Sequence, residues 1–494
     1  MTNILFPIIT FPYLTDVIKP GGTGKVGFAF SVIEYFNIFA QLGIPTYGIR
    51  VCSQVRDDKE KLTQTAHELL FINLCMTALT YVVFAIAVCT IPILKDERLL
   101  FIIASFSMLL TTIGMEWLYK ALEEYKFITV RSVIFKIIAM VAMFLLVHNE
   151  DDYLIYGAIS VLATTGSMIL NFINVHKYID MKPRQSYDFK RHLKPAAMFL
   201  AMACATTVYT NLDTVMLRLM TTKEDTGYYY ASIKIKYVLL SIITSLGAVL
   251  LPRVSYYVEK KRMDEFKNVI TLALKFVLIV STPAVFFFIM TAKPCILFLS
   301  GEDFYDAILP MQILVPTVLV IGISNLLGIQ VLVPMSKEKV LLYIEIGGGL
   351  LDFMINILLI PRLRSSGAAI GTLAAEIFVT VSLMIYLSKD LKEVFGKLEI
   401  LKILVSFVIA SLFSFGAFIL TGNFISNLRL PEFYMFGLNI SEFFSGYHKG
   451  ACLVRIFVPF IVYCIAYVPC LCLMKEKLTV DILSRFLHFG KKTG

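Results

Sequence analysis

Along the chain, apolar runs of about twenty residues alternate with short connections that hold most of the charge. A bilayer core of about 30 Å is crossed by about twenty helical residues at about 1.5 Å each. By that measure fourteen segments qualify: 3–18, 26–49, 69–94, 99–119, 128–147, 153–175, 195–220, 228–251, 269–292, 308–335, 340–360, 367–387, 400–420 and 453–474. They are too long for barrel strands and lack a period of two, which excludes a β-barrel. The pattern predicts an all-α, polytopic membrane protein of about fourteen transmembrane helices.

The basic residues test that threading independently. Even-numbered connections and the C-terminal tail hold 29 of the 45 Lys and Arg, odd-numbered connections hold 11, and five lie within segments. By the positive-inside rule the rich side is cytoplasmic, so both termini are expected inside. Segment 3–18 spans only about 24 Å as a straight helix and no basic residue precedes it. The reading favoured here is that the natural chain starts upstream of Met1.

Composition agrees. The 494 residues are 58% hydrophobic and 16% charged, with mean hydropathy +0.77, whereas an ordinary globular chain is about a quarter charged. The net charge of +9 sits in loops, which argues against a nucleic-acid partner. Nine Cys include no CxxC pair, and Cys470-x-Cys472 lacks nearby His or acidic ligands, so neither a metal site nor a cofactor is expected. His67, His148, His176, His192, His448 and His488 are read as loop or loop-edge residues. No Ser-His-Asp or Cys-His arrangement stands out, and the chain does not read as an enzyme.

The chain repeats itself weakly. Gly24-Lys25-Val26-Gly27-Phe28-Ala29 joins helices 1 and 2, and Gly227-Tyr228-Tyr229-Tyr230-Ala231 joins helices 7 and 8. Leu42-Gly43-Ile44-Pro45 then corresponds to Leu246-Gly247 with Pro252. Six helices separate the copies, so they share one orientation, as in transporters built from parallel repeats. The division expected is an N-terminal lobe 1–175, a cytoplasmic linker 176–194, a second lobe 195–388, and a C-terminal addition 389–494 holding helices 13 and 14 and the tail. Pro7, Pro12, Pro45, Pro283, Pro316 and Gly347-Gly348-Gly349 are candidate hinges for alternating access.

Ionisable residues deep in a span cost at least ~2.5 kcal/mol each on insertion scales, so they should face a wet cavity or a partner. Glu34, Lys136, Asp213, Lys234, Lys236, Lys275, Glu345, Asp352 and Glu376 are the candidates. Asp213 and the two lysines of helix 8 lie at similar depths, so a pair is open to them. Lys234 and Lys236 are roughly 200° apart around a helix and cannot both face one cavity. One of them either pairs with Asp213 or meets an anionic substrate, while the other snorkels. Glu34 and Asp213 are candidates for a coupling ion, H+ or Na+. Arg50, Lys136, Lys234, Lys236, Lys275 and Arg253 could meet a pyrophosphate. Trp117 and the many Tyr and Phe could stack on sugars or belong to lipid-facing belts.

Tyr209-Thr210-Asn211-Leu212-Asp213-Thr214-Val215-Met216-Leu217, with Thr226-Gly227-Tyr228-Tyr229 and Ile233-Lys234-Ile235, resembles the polysaccharide-biosynthesis flippases of the Wzx type. These belong to the multidrug/oligosaccharidyl-lipid/polysaccharide exporter superfamily. Phe11-Pro12-Tyr13-Leu14, the stretch from Leu42 to Arg50, Trp117 with Glu123-Glu124-Tyr125-Lys126, and Asn356 with Ile360-Pro361 and Gly367-Ala368-Ala369 extend the resemblance over about residues 4–390. It implies a fourteen-helix, two-lobe transporter in the bacterial cytoplasmic (inner) membrane. Its substrate would be an undecaprenyl-pyrophosphate-linked oligosaccharide for O-antigen, capsule or exopolysaccharide, and its partners would include polysaccharide polymerase and chain-length proteins. Asn211, Asp213 and Lys234 are the motif residues. Arg218 departs from the pattern, standing where a small residue is expected. A drug or ion antiporter of the same superfamily and a membrane polymerase or ligase are the competing readings. The latter is disfavoured because the largest outer loop, 422–452, offers few titratable groups: Arg429, Glu432, Glu442, His448 and Lys449.

Overall fold

The computed structural model describes residues 2–180, 182, 186–427, 434–435, 438–439, 449–476 and 478–480. Most of loop 422–452, Pro183, His488 and most of the C-terminal tail fall outside the described residues. Every one of the fourteen predicted segments lies on helix. By length and apolarity, eight helices among the described residues qualify as membrane spans, or nine if one bent pair is a single span. Two of them, Ile9–Gln54 and Glu338–Leu387, each hold two predicted segments. The fold is a polytopic helical membrane protein. Its only described strands, Tyr434–Met435 and Leu438–Asn439, pair antiparallel.

Large apolar side chains stay exposed along these helices, among them Leu145, Ile385, Leu401 and Leu412, each more than 60% exposed. A soluble monomer would not leave such continuous apolar surface in water, and lipid removes the cost.

Thr2–Gln41 contains a non-helical residue at Lys19 (φ 58°), and Glu338–Leu387 contains one at Arg364 (φ 50°), each inside a connection expected between two segments. Other helices break where the sequence suggested an unbroken segment. Segment 26–49 stops at Gln41, and a separate helix, Ile44–Gln54, follows. The cause is Gly43 at φ +70°, where a Cβ would stand 2.5 Å from the Leu200 amide nitrogen; only glycine fits that conformation and that approach. Pro45 then occupies the first turn of the new helix, where its missing N–H costs nothing. Segment 99–119 likewise divides into Arg98–Gly114 and Glu116–Ala121 around Met115 (φ 44°). Segment 308–335 bends by 42° between Glu302–Leu314 and Thr317–Leu332, with Pro316 at the break.

The chain forms two compact units: Met1–Tyr230 with Asn356–Arg364, and Ala231–Ile355 with Ser365–Gly494. In the first, one core gathers Ile44, Cys52, Leu69, Trp117 and Leu118, and another gathers Phe28, Leu100, Phe101 and Met108. Trp117 is therefore a core residue, not a sugar platform or a belt residue, and a Cβ on Gly48 would meet its ring at 2.9 Å. In the second unit Phe266, Ile270, Leu327, Val331 and Leu383 form the main core. A smaller one joins Ala410 to Tyr463, Tyr467 and Leu471 of the last two long helices.

Candidate substrate and coupling site

The motif region is a helical hairpin. Lys190–Met220 ends at Thr221, and Thr222 with Asp225 caps the start of Lys223–Glu259. The Asp225 amide donates to the Thr222 hydroxyl (3.2 Å), and the Asp225 carboxylate accepts from the Thr222 hydroxyl (3.0 Å) and amide (3.4 Å). This reciprocal cap satisfies the free N–H groups of the first turn. Asp213 and Tyr229 stand eight residues on either side of Thr221. At about 1.5 Å per residue they share one depth, and the Tyr229 hydroxyl donates to Asp213 Oδ2 at 2.5 Å.

Asp213 is 5% exposed, and its second oxygen accepts from Asn356 Nδ2 at 2.6 Å. The sequence brought Asn356 in through resemblance alone; the structure joins it to the motif aspartate across 143 positions. Two neutral donors thus hold a buried carboxylate in a fixed orientation, an arrangement that can bind a cation or exchange a proton with little movement.

The helix Thr2–Gln41 meets this hairpin through backbone. A Cβ on Gly24 would fall 1.9 Å from the Lys223 carbonyl oxygen, and one on Gly227 would fall 2.1 Å from that of Pro20. A Cβ on Gly27 would press on the Tyr230 ring at 2.7 Å. Asp225 is also buried, with the Arg364 guanidinium 3.9 Å away.

The other expected site residues scatter. Asn211 is half-buried and donates to the Thr210 hydroxyl at 3.2 Å. Lys234 is half-buried, and Lys236 is buried with its ammonium 5.2 Å from the Tyr237 ring centroid. Arg50 is exposed on Ile44–Gln54, Glu34 is exposed on Thr2–Gln41, and Lys136 is half-buried on Tyr125–Leu146. Arg253 lies against Tyr257, donating to its hydroxyl at 3.0 Å. Arg218 sits 5.9 Å from the Phe28 ring centroid. Asp352 and Glu376 are buried and Glu345 half-buried.

Lys275 is already engaged. It is buried, bonds to Glu399 and lies 3.6 Å from Glu476, which is fully buried. Glu399 also takes Lys402 at 2.6 Å. Standing just ahead of the helix Ile400–Asn427, its carboxyl is pushed down to about 2 by Lys275 and then Lys402. An anionic substrate would have to displace two carboxylates to reach Lys275.

A second polar centre escaped the sequence reading. Glu68, fully buried on Lys59–Thr90, accepts from His192 (2.7 Å), from Arg191 (2.5 and 3.0 Å) and from the Asp188 amide (2.8 Å). The other ring nitrogen of His192 meets the Tyr47 hydroxyl at 2.8 Å. His67 lies within the same helix and meets the Tyr187 hydroxyl at 3.1 Å. The expectation that all six histidines are loop residues is therefore corrected: His67 is helical, and His192 is a buried ligand of Glu68. Residues 186–192 are pinned to the Lys59–Thr90 helix by this centre, and no local spacing signals a contact across more than 120 positions.

Comparison with known proteins adds a family. The family model described as "Polysaccharide biosynthesis protein" matches residues 1–258. A protein of Escherichia coli (strain K12) named "Putative O-antigen transporter" is 23% identical over 395 residues, 79% of this chain and 94% of its own length. One of the same name from Shigella dysenteriae is 21% identical over 77% of this chain and 96% of its own. Among solved structures, the lipid II flippase MurJ in an inward closed conformation superposes with a TM-score of 0.63 at 16% identity, covering 98% of this chain and 99% of that one. An inward-facing multidrug resistance transporter of the MATE family gives 0.60 at 13% identity over 80% of this chain and 95% of that one. Both likenesses concern the fold.

Proposed function

Because the chain belongs to the polysaccharide biosynthesis protein family, we propose that it is a flippase for lipid-linked oligosaccharides. It carries undecaprenyl-pyrophosphate-linked units from the cytoplasmic to the periplasmic leaflet of a bacterial inner membrane, supplying O-antigen, capsule or exopolysaccharide assembly. The observation that carries this reading is the E. coli relative named as an O-antigen transporter, matched over 94% of its length. A fold shared with a lipid II flippase over nearly the whole chain supports it.

The physical task explains the architecture. A pyrophosphate and a string of sugars cannot enter hydrocarbon without losing their hydration. The protein offers polar side chains in a cavity that opens to one side and then the other, while the polyprenyl tail stays in lipid. In this scheme lobes 1–175 and 195–388 pivot about the linker 176–194, and both termini face the cytoplasm. Arg50, Lys136 and one of Lys234 and Lys236 are the cations offered to the pyrophosphate; Lys275 contributes only if Glu399 and Glu476 let it go. Asn211 contacts sugar hydroxyls. Asp213, held by Tyr229 and Asn356, takes the coupling H+ or Na+, with Glu34 as a second titrating group. Polymerase and chain-length proteins would receive the product. The protein acts as a transporter and makes or breaks no bond.

The test uses a strain lacking the gene. Surface polysaccharide should vanish while lipid-linked repeat units accumulate in the cytoplasmic leaflet, and the intact gene should restore both. Normal surface polysaccharide with no accumulated intermediate would end this reading. The likeness to a multidrug transporter makes the antiporter alternative testable in membrane vesicles: saturable, gradient-driven uptake of a fluorescent organic cation would favour it.

A further inference from the structure

Gly43, at φ +70°, joins two helices of the first unit, Thr2–Gln41 and Ile44–Gln54. Tyr47 stands one turn beyond it, its amide bonded to the Gly43 carbonyl at 3.1 Å. The Tyr47 hydroxyl reaches His192 Nδ1 at 2.8 Å, on the first turn of Lys190–Met220. The other ring nitrogen, Nε2, meets Glu68 Oε2 on Lys59–Thr90 at 2.7 Å. One imidazole therefore ties three helices together. Its side chain is 1% exposed, and that of Glu68 is fully buried.

The protonation state of the ring follows from these partners. A carboxylate oxygen only accepts, so Nε2 carries the proton of the neutral ring. Nδ1 is then the acceptor, and the Tyr47 hydroxyl donates to it. A proton added at Nδ1 takes that acceptor away. It also sets a cation against a cation, because Arg191 Nε lies 3.1 Å from Nε2 while bonding Glu68 at 3.0 Å. Glu68 and Arg191 balance each other, so the buried cluster is matched only while the imidazole is neutral.

The other titratable groups around the ring and its tyrosine are few. Arg50 and Cys52 come from Ile44–Gln54, and Asp188 lies just ahead of Lys190–Met220. Asp188 is exposed, so water screens it, and His67 turns instead to the Tyr187 hydroxyl at 3.1 Å. Burial holds the imidazole below its ordinary 6.5 although Glu68 and Asp188 pull upward, and Arg191 adds to the fall. A depressed value means that the tied state is complete above about pH 6.5 and is lost as pH falls through the folded value.

We propose that His192 is a proton-operated latch: the neutral ring holds Ile44–Gln54 and the start of Lys190–Met220 on Glu68, and a proton on Nδ1 releases them. The proton comes from water past Arg191, whose side chain is 45% exposed. The freed short helix pivots at Gly43, and the connection 176–194 loosens from Lys59–Thr90. In the proposed threading this end faces the cytoplasm, so the latch reads cytoplasmic acidity; only that placement rests on the flippase reading.

Limited tryptic digestion of the detergent-purified full chain between about pH 8 and pH 5 tests this. Cleavage in 176–194 is scored against cleavage in 253–267, so that the protease's own pH dependence cancels. The ratio should be flat above about pH 6.5 and rise below it by up to about tenfold per unit, the limit for one proton. His192→Gln keeps an N–H for Glu68 but takes no proton, so its ratio should stay flat. Arg191→Gln removes the competing cation and should move the rise to higher pH, which keeps the latch testable should the first variant fail to fold. A flat ratio in the natural chain would overturn the proposal, as would an unmoved threshold in Arg191→Gln. A rise that persists in His192→Gln would overturn it too and point to His67. Digestion involves no transport, so failure of the latch leaves the flippase reading intact. Normal surface polysaccharide in a strain lacking the gene would end that reading and leave the latch.

Discussion

Gly24 and Gly227 lie against each other, so close that a Cβ on Gly24 would stand 2.8 Å from the Gly227 amide nitrogen. The sequence sets them at matching places in two look-alike halves, and the fold uses both to let backbone meet backbone. Neither neighbour is a flexible side chain that could swing away. Gly24→Val or Gly227→Val should therefore force these helices apart, at a cost of roughly 1–3 kcal/mol for overpacking. A lower melting temperature in detergent and reduced complementation of a deletion strain are the expected outcomes; unchanged values for both variants would show that the crossing is loose.

Asp213 is held at both oxygens, and Lys234 lies on the neighbouring helix of the motif. Asp213→Ala and Lys234→Ala should each lower surface polysaccharide without lowering protein abundance. Tyr229→Phe removes the hydrogen bond to Asp213 Oδ2 and should cost about 1 kcal/mol, with partial loss of transport. Full polysaccharide in both alanine variants would remove these residues from the mechanism.

The Glu399 carboxyl titrates well below its ordinary 4.5, at about 2, because Lys275 and Lys402 favour the charged form. A depressed folded value means the pair stabilises above about pH 4.5, and the contribution fades as pH falls toward 2. Melting temperature measured over that interval should drop less steeply for Glu399→Gln than for the natural chain. Equal slopes would mean that the pair adds nothing to stability.

Lys275→Met should be more damaging than Glu399→Gln. It takes from the fully buried Glu476 its ammonium partner, while Lys402 still holds Glu399, and breaking such a buried pair costs roughly 3–5 kcal/mol. Loss of monodisperse protein on gel filtration is the expected result; a well-behaved variant with intact transport would refute it.

Glu68 collects His192, Arg191 and the Asp188 amide and so fastens the end of the 176–194 connection. Glu68→Leu should speed tryptic cleavage within 176–194 in solubilised protein, while the connection 253–267 keeps its natural rate. Equal rates at both would show that the clasp is dispensable. In intact cells, cysteines placed in these two connections should both resist membrane-impermeant thiol reagents. Labelling of only one would break the threading itself.

Helix content and lipid exposure were legible because they depend on the length and greasiness of segments, which are local. The bend beside Pro316 was legible for the same reason: a missing N–H acts wherever the chain goes. The break at Met115, inside segment 99–119, was not, since an ordinary L-residue at positive φ advertises nothing and adopts it only when packing demands. The motif marked Asp213, but nothing in its spacing announced that Asn356 would meet it. Lys275 looked like a free cation because its carboxylates lie 124 and 201 positions away.

By itself the sequence determined the solvent of this protein, its helical segments and its family resemblance, because hydrophobic burial in lipid is read residue by residue. Only the tertiary structure decided which polar groups meet: Asp213 with Asn356, Glu68 with His192, Gln41 with Thr112. Those pairings follow from helix packing, and helix packing is set by contacts between segments far apart in the chain.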